Sequence, residues 1–270
     1  MRVIRAIATC ALCGLAATPA MAQPGLVPHR AVYDIALDEA SDRSGITAGR
    51  GRMVYEFNGS ACEGYTVNFR FVTQIDTADV SRMTDQQTST YEGPGGDSFD
   101  FVTKAYVDRA LDREVKGRAR LKDGATVVEI DKPVRSTVTL AATQFPTRHL
   151  EELIAKAEQG ETFYETDLYD GSEDADRIMT TTVIIGQQDV TDQQDGEFPA
   201  AGAIEPARYW PVSIAYFDLS KGEELPDYRI DFKLHPNGIT RDLVMDYGDF
   251  SMTGTLVGLA LFGQPAGCEN

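Results

Sequence analysis

The residues of this chain with the clearest chemistry are its four cysteines. Cys10 and Cys13 lie near the N-terminus, whereas Cys62 and Cys268 lie far apart in the rest of the chain. If the first two are removed on secretion, the other two have only one possible pairing in an oxidising compartment. Closing so long a loop would stabilise the fold by roughly 4–5 kcal/mol in the chain-entropy model. We predict a disulfide bond between Cys62 and Cys268, and two free buried thiols are the alternative.

The N-terminus has the features of a cleaved secretory signal peptide. Two arginines precede an apolar stretch over residues 6–17, and Ala-Met-Ala at residues 20–22 matches a small-residue cleavage site. The apolar stretch is too short for a transmembrane helix, which needs about 20 apolar residues. We therefore predict a signal peptide over residues 1–22, a single domain over residues 23–270, and a location in the periplasm of a Gram-negative bacterium.

The charge of the chain limits the classes of molecule that it is expected to bind. Lys and Arg number 25 against 42 Asp and Glu, so the formal net charge is −17. Nucleic-acid binding depends on basic surfaces, which makes nucleic acid a poor partner. Anionic lipid surfaces should repel the chain as well, and solubility is the simplest interpretation of the charge.

The histidines give little support for catalysis. His29, His149 and His235 are the three in the chain, and none stands in a G-x-S-x-G or H-E-x-x-H motif. Acidic residues are too abundant for any carboxylate pair to stand out as a glycosidase pair. We predict no catalytic residue, no metal ligand and no cofactor.

An acidic loop at residues 170–176 superficially resembles the start of a calcium-binding EF-hand, because oxygen-bearing side chains occupy alternate positions. However, Ala175 stands where the EF-hand needs glycine, and Thr181 stands where it needs a bidentate glutamate. The loop is better interpreted as a solvated turn between strands.

The aromatic residues around the single tryptophan are a candidate binding surface. Tyr209, Trp210, Tyr216 and Phe217 lie close together in sequence. An apolar pocket in a curled sheet could receive a lipid or a peptide there. Ordinary core packing is the alternative interpretation.

Alternation of apolar and polar residues predicts an all-β, mostly antiparallel fold of a dozen or more strands. A sheet of that size must curl to bury one apolar face, so we expect a β-spiral or incomplete barrel, with a two-sheet sandwich as the alternative. The predicted strands occupy residues 31–38, 53–57, 65–71, 98–107, 113–121, 126–130, 135–140, 162–169, 177–185, 208–219, 228–234, 240–247 and 251–261.

One amphipathic helix is predicted over residues 146–159, where apolar side chains recur with helical spacing between Pro146 and Gly160. It should cover one opening of the curled sheet. The polar stretch at residues 187–203 is predicted to be a long flexible loop.

Five short motifs occur in order along the chain, at residues 29–33, 62–65, 170–173, 210–212 and 237–238. Together they resemble the EipB-like family of periplasmic cell-envelope integrity proteins, formerly a domain of unknown function. The resemblance covers nearly the whole mature chain. It implies a β-spiral with one helix, a disulfide between Cys62 and Cys268, a role in envelope integrity under stress, and no established enzymatic activity.

Three functions follow as hypotheses. The favoured one is a non-catalytic protein that maintains the cell envelope and its stress resistance by binding another periplasmic protein. The second is a carrier or sensor for a lipid or lipoprotein-type ligand, which would use the concave face of the sheet. The third is an enzyme that acts on envelope glycans through carboxylates.

Overall fold

The alternating sequence forms long strands that all join one sheet. The computed structural model describes residues 25–172, 174–222 and 225–263, and in those ranges it contains fifteen strands and two α-helices. The strands before the first helix are β1 (His29–Ala40), β2 (Ile46–Ser60), β3 (Gly64–Thr77), β4 (Ser81–Glu92), β5 (Ser98–Val107), β6 (Ala110–Lys122), β7 (Ala125–Lys132) and β8 (Ser136–Ala141). The later elements are α1 (Pro146–Glu158), β9 (Phe163–Leu168), β10 (Met179–Ile185), β11 (Asp189–Val190), α2 (Phe198–Ala201), β12 (Arg208–Phe217), a 3₁₀ turn (Leu219–Lys221), β13 (Tyr228–Leu234), β14 (Thr240–Asp246) and β15 (Phe250–Leu261).

The strand order shows how the sheet curls without closing. From one edge the order is β8, β7, β6, β5, β4, β3, β2, β1, β15, β14, β13, β12, β10 and β9, and β11 pairs with β12. The first and last strands therefore pair in the middle of the sheet, while β8 and β9 form its edges. The prediction of an antiparallel incomplete barrel is confirmed, and the sandwich alternative is wrong because there is one sheet.

The register places the apolar residues on one inner face. Tyr55 lies opposite Ala31 on one neighbouring strand and Phe69 on the other, and directly opposed residues share a face of a sheet. Three clusters of buried residues fill the core. Their central members are Leu153, Val183 and Trp210 in the first, Tyr33, Leu243 and Met252 in the second, and Phe99, Phe101, Val128 and Phe145 in the third.

Strand β4 has no counterpart among the predicted strands. Its sequence, SRMTDQQTSTYE, lacks an apolar face, so alternation provides no signal there. It nevertheless pairs along its length with β3 and β5. Its inner face carries Thr84, Gln86, Thr88 and Thr90, and threonine has a high preference for strands.

Helix α1 matches the prediction to within one residue at its C-terminus. Pro146 occupies the first turn, where a missing amide proton costs little. The carboxylate of buried Glu92 accepts hydrogen bonds from the backbone amides of Thr147 (2.7 Å) and Arg148 (3.0 Å). The end of β4 thus holds the start of the helix. No helix in the described residues is long and apolar enough to cross a membrane.

The stretch predicted to be a flexible loop is ordered. Residues 187–203 contain strand β11 and helix α2, and α2 packs on β15. This part of the prediction is wrong because buried ion pairs to β14, described below, hold a polar segment that has no apolar pattern of its own.

The two ends of the curled sheet differ. At the closed end, α1 and the segment at residues 187–207 pack where β12 and β14 begin, and Val27 donates a backbone hydrogen bond to Asn237. At the open end lie the turns that join β1 to β2, β12 to β13 and β14 to β15. Neither α-helix lies there.

Candidate binding cavity

A cavity of about 330 Å³ lies against the inner face of β2–β6. One part of its wall is apolar and the other carries hydrogen-bonding groups. The apolar part includes Tyr55, Val67, Phe69, Phe99, Ala105, Val115 and Pro146. The polar part consists of Gln86, Thr88, Thr90, Thr103, Arg113, Asp170 and Ser172.

The polar wall comes from neighbouring strands whose inner positions are hydroxyl-bearing. Thr88 and Thr103 face each other across β4 and β5, and their hydroxyls lie 3.0 Å apart. Arg113 follows on β6 opposite Ala105 and brings a positive charge to the wall. The site can therefore accept apolar groups and bond to polar ones at the same time.

A tight turn closes one side of the cavity. Asp170 accepts a hydrogen bond from the Ser172 amide (2.8 Å), and Gly171 has φ +68°. A Cβ atom at residue 171 would lie 2.7 Å from the ring of Phe101, so only glycine fits against that ring. The interpretation of this loop as a turn agrees with this geometry. Among the described residues, no group of three or more His, Cys, Asp or Glu side chains could hold a metal ion.

An aromatic row lies on the inner face at the open end. Strands β12, β13 and β15 each contribute one ring, and the fourth ring directly follows β14. The four residues are Tyr216, Tyr228, Tyr247 and Phe250. Successive ring centroids lie 4.5, 5.9 and 5.0 Å apart, with interplanar angles of 9°, 20° and 19°. Burial raises the pKa of Tyr216 to about 12. The row presents a stacked apolar surface beside the inner face.

The aromatic residues predicted as one surface do not come together. Trp210 and Tyr216 point inward with Ile214, whereas Tyr209 and Phe217 occupy the alternate positions of β12. Trp210 is only 3% exposed and lies in the core, as the core-packing alternative holds. Of the four, Tyr216 contributes to the aromatic row.

Tyr209 belongs instead to a charge cluster at the closed end. Its ring lies 4.9 Å from the guanidinium carbon of Arg241 and 5.3 Å from the ammonium nitrogen of Lys233. Arg241 is fully buried, and its guanidinium bonds to Asp195 (2.7 Å) and Glu197 (3.3 Å). No apolar pattern or spacing in the sequence predicts these contacts between distant segments.

Glu197 ties the same segment to the sheet through its second carboxylate oxygen. Oε1 accepts hydrogen bonds from the amides of Asp242 (3.1 Å) and Leu256 (2.5 Å). Burial raises the pKa of Glu197, and these bonds and Arg241 oppose that rise. Burial acts in the same direction on Asp195, but the Glu197 amide, Arg241 and Lys233 outweigh it and lower the pKa of Asp195 to about 2. The charge cluster therefore fixes the segment at residues 187–207 to the sheet rather than exposing a reactive group.

The histidines occupy structural positions. Arg241 donates from Nε to Nε2 of His235 (3.1 Å), which requires a neutral ring, and burial lowers the pKa of His235 to about 4. Burial likewise lowers the pKa of His149 to about 4, and its Nε2 lies 3.4 Å from the Thr181 hydroxyl. His29 Nδ1 lies 2.7 Å from the carbonyl oxygen of Val27. The prediction that no residue is catalytic stays a prediction.

Cys62 lies in the turn between β2 and β3, at the closed end. Cys268 and the signal peptide at residues 1–22 lie outside the described residues. The disulfide, the cleavage after Ala22 and the single-domain boundary therefore stay predictions.

Comparisons with known proteins agree on one family. The EipB-like family profile matches residues 20–263. A protein of Brucella abortus (strain 2308) named cell envelope integrity protein EipB is 56% identical over 239 residues, which cover 88% of this chain and 85% of the relative. A crystal structure of a beta-barrel-like protein of the domain of unknown function DUF1849, also from Brucella abortus, superposes with a TM-score of 0.85. It is 56% identical, and the match covers 88% of this chain and 99% of that one.

Proposed function

Because the chain belongs to the EipB-like family, we propose that it maintains cell-envelope integrity and stress resistance from the periplasm by binding another periplasmic protein, without catalysis. The name of the Brucella abortus relative supports the envelope role. The predicted signal peptide supports the location. We propose the cavity on the inner face of β2–β6 as the binding site.

The mixed wall of the cavity is the observation that carries this proposal. A segment of polypeptide offers apolar side chains together with backbone amides and carbonyls, so it can pair with Thr88, Thr90, Gln86 and Arg113 while it covers Val67. An acyl chain would shield this polar wall from water without offering it any hydrogen bond, which costs free energy. The volume of about 330 Å³ lies near the lower end of ligand pockets and fits a few side chains better than a whole lipid.

Filling the cavity tests the proposal. Val67→Trp places a large ring on the inner wall, and Asn68→Trp places the same ring on the opposite face of β3 as a matched control. Both variants are purified and checked by circular dichroism for strand content. They are then expressed in cells that lack the native protein, which are challenged with detergent. We expect Val67→Trp to lose both the protection against detergent and the partner protein that is captured with the native chain. Asn68→Trp should retain both.

Three outcomes would overturn the proposal. The first is full protection by a folded Val67→Trp variant. The second is stoichiometric lipid in the native protein that is lost in Val67→Trp, because this would favour the lipid carrier or sensor. The third is turnover of peptidoglycan fragments that a single carboxylate substitution abolishes, because this would make the protein an enzyme.

A further inference from the structure

Strand β8 has backbone groups available along one whole edge. It pairs with β7 on one side, and no strand among the described residues pairs with its other side. The opposite edge of the sheet is different, because Gln144 lies beside β9. The Gln144 amide donates to the carbonyl of Asp167 (3.0 Å), and its carbonyl accepts from the amide of Tyr169 (2.9 Å).

The turn between β6 and β7 determines which amides face that edge. Asp123 and Gly124 have φ values of 52° and 77°, as in a two-residue type I′ turn. Such a turn is closed by a pair that exchanges both backbone hydrogen bonds, here Lys122 and Ala125. The backbone groups of Ala125 therefore point to β6, and those of Thr126 point to β8.

Backbone groups of successive residues in a strand point to opposite sides, which extends this assignment to the edge. Val128 points its backbone groups to β8 as Thr126 does, and its partner Val138 points back to β7. The residues on either side of Val138, Thr137 and Thr139, must then direct their amides and carbonyls away from β7. Both are exposed. The open edge of β8 thus offers regularly spaced donors and acceptors.

This edge lacks the devices that usually protect an exposed strand. The sequence STVTLA contains no charge and no proline, and its pairing with β7 contains no bulge. Unpaired backbone groups in a row bond best to another extended polypeptide, which gives the chemical class of the occupant.

The surroundings of the edge are basic although the chain is acidic. Lys116 and Lys132 are paired neighbours on β6 and β7, and both are exposed. Arg135 comes directly before β8, and its side chain is 87% exposed with Asp131 at 3.8 Å. Glu129 lies opposite Thr137, but it has Arg118 at 3.8 Å, so the four cations outnumber the two carboxylates. In a chain of net charge −17, this local excess of positive charge is complementary to an acidic segment.

We propose that the outer edge of β8 is a second binding surface, which accepts an acidic, extended segment of a partner protein as an added strand. The surface is separate from the cavity, so one partner can use it whether or not the cavity is occupied. Backbone bonds to Thr137 and Thr139 would supply affinity, and Lys116, Lys132 and Arg135 would select acidic side chains.

The probe is a blocked, fluorescent ten-residue peptide of alternating Val and Glu, with a Val and Lys peptide as the charge control. Fluorescence anisotropy measures binding to the full mature protein. Thr139→Pro removes an amide from the open edge without removing a bond to β7, and Thr139→Val changes the side chain but keeps the amide. Arg135→Glu reverses one charge beside the edge.

We expect the Val and Glu peptide to bind and the Val and Lys peptide to bind more weakly. Thr139→Pro should weaken binding by about tenfold through the lost hydrogen bond and the added ring. Arg135→Glu should weaken it severalfold, and Thr139→Val and Val67→Trp should leave it unchanged. Amide hydrogen exchange should be fast at Thr137 and Thr139 in the free protein and slow with the peptide bound.

The inference is wrong if the acidic peptide does not bind, or if Thr139→Pro binds it as the native protein does. Slow exchange at Thr137 and Thr139 in the free monomer would also overturn it, since the edge would already be paired. Protection that appears only as the protein concentration rises would assign the edge to a second copy of this chain instead. None of these results bears on the cavity, which Val67→Trp tests separately.

Discussion

The closed and open ends of the sheet are built from the same kind of strand but are completed in different ways. At the closed end, buried charges hold α1 and the segment at residues 187–207 against the sheet, through Glu92 at the helix start and Arg241 beneath α2. At the open end, the stacked rings of the aromatic row remain partly exposed, and so do charged pairs such as Arg229 with Asp246.

The contrast between the ends shows that alternation accounts for most strands of the sheet, whereas non-alternating segments decide where the sheet is covered. A buried charge is costly unless its partners are fixed, so the closed end should respond strongly to the loss of one partner. Exposed ion pairs contribute little, so the open end should tolerate the same loss.

The predicted disulfide at the closed end should matter most for stability. Cys62→Ser and Cys268→Ser should each lower the melting temperature by several degrees, because the bond would stabilise the fold by roughly 4–5 kcal/mol. The double variant should be no worse than either single one, since all three lack the same bond. Two reactive thiols per chain in unfolded, non-reduced protein would contradict the prediction.

Arg241→Leu should lower the free energy of unfolding by about 3–5 kcal/mol, because it leaves Asp195 and Glu197 without their buried cation. Arg229→Leu is the matched change at the open end, where the side chain is 48% exposed, and it should cost about 1 kcal/mol or less. Urea denaturation measures both. Equal losses would remove the energetic distinction between the two ends.

Acid should weaken the closed end through His149. Its pKa of about 4 in the folded protein lies below the unfolded value of 6.5. The unfolded chain therefore binds more protons between these values, and stability falls as the pH falls from 6.5 to 4, by up to about 3 kcal/mol. His149→Gln should reduce the dependence of unfolding free energy on pH in this window without abolishing it, because His235, whose pKa is also about 4, contributes over the same range. An unchanged slope would show that His149 is not the group responsible.

A smaller difference is expected between two glycines with similar backbones. Gly171 (φ +68°) lies against Phe101, whereas a Cβ atom added at Gly45 (φ +65°), at the open end, would have no neighbouring atom within 4 Å. Alanine strains the backbone at both positions, but only Gly171→Ala also forces the ring of Phe101 aside. Thermal denaturation should show Gly171→Ala to be less stable than Gly45→Ala by about 1–3 kcal/mol. Equal stability of the two variants would mean that the ring moves away at no cost.

The sheet could be predicted from the sequence because most strands bury one face and therefore alternate. Helix α1 was predictable for the related reason that Leu150, Leu153, Ile154 and Ala157 recur with helical spacing. Strand β4 could not be found this way, because its inner face lines the polar part of the cavity and carries threonines instead of apolar residues.

The candidate site was harder to predict from the sequence than the sheet was. Aromatic residues on β12 suggested a surface, yet Trp210 is buried in the core and Tyr209 packs on Arg241. The cavity is formed by β2–β6 together with the turn at Gly171, which are distant in sequence. Such a site depends on the register and curvature of the whole sheet, and single-strand patterns contain neither.

The pairing of β1 with β15 also affects how the chain reaches this structure. Nearly every other pair of neighbouring strands is adjacent in sequence, so those contacts close short loops. Joining His29 to Leu261 closes a loop of almost the whole chain and carries the largest entropic cost. The seam between the first and last strands should therefore form late. A circular permutant with linked ends and new termini between β8 and α1 would make that seam local and should refold faster.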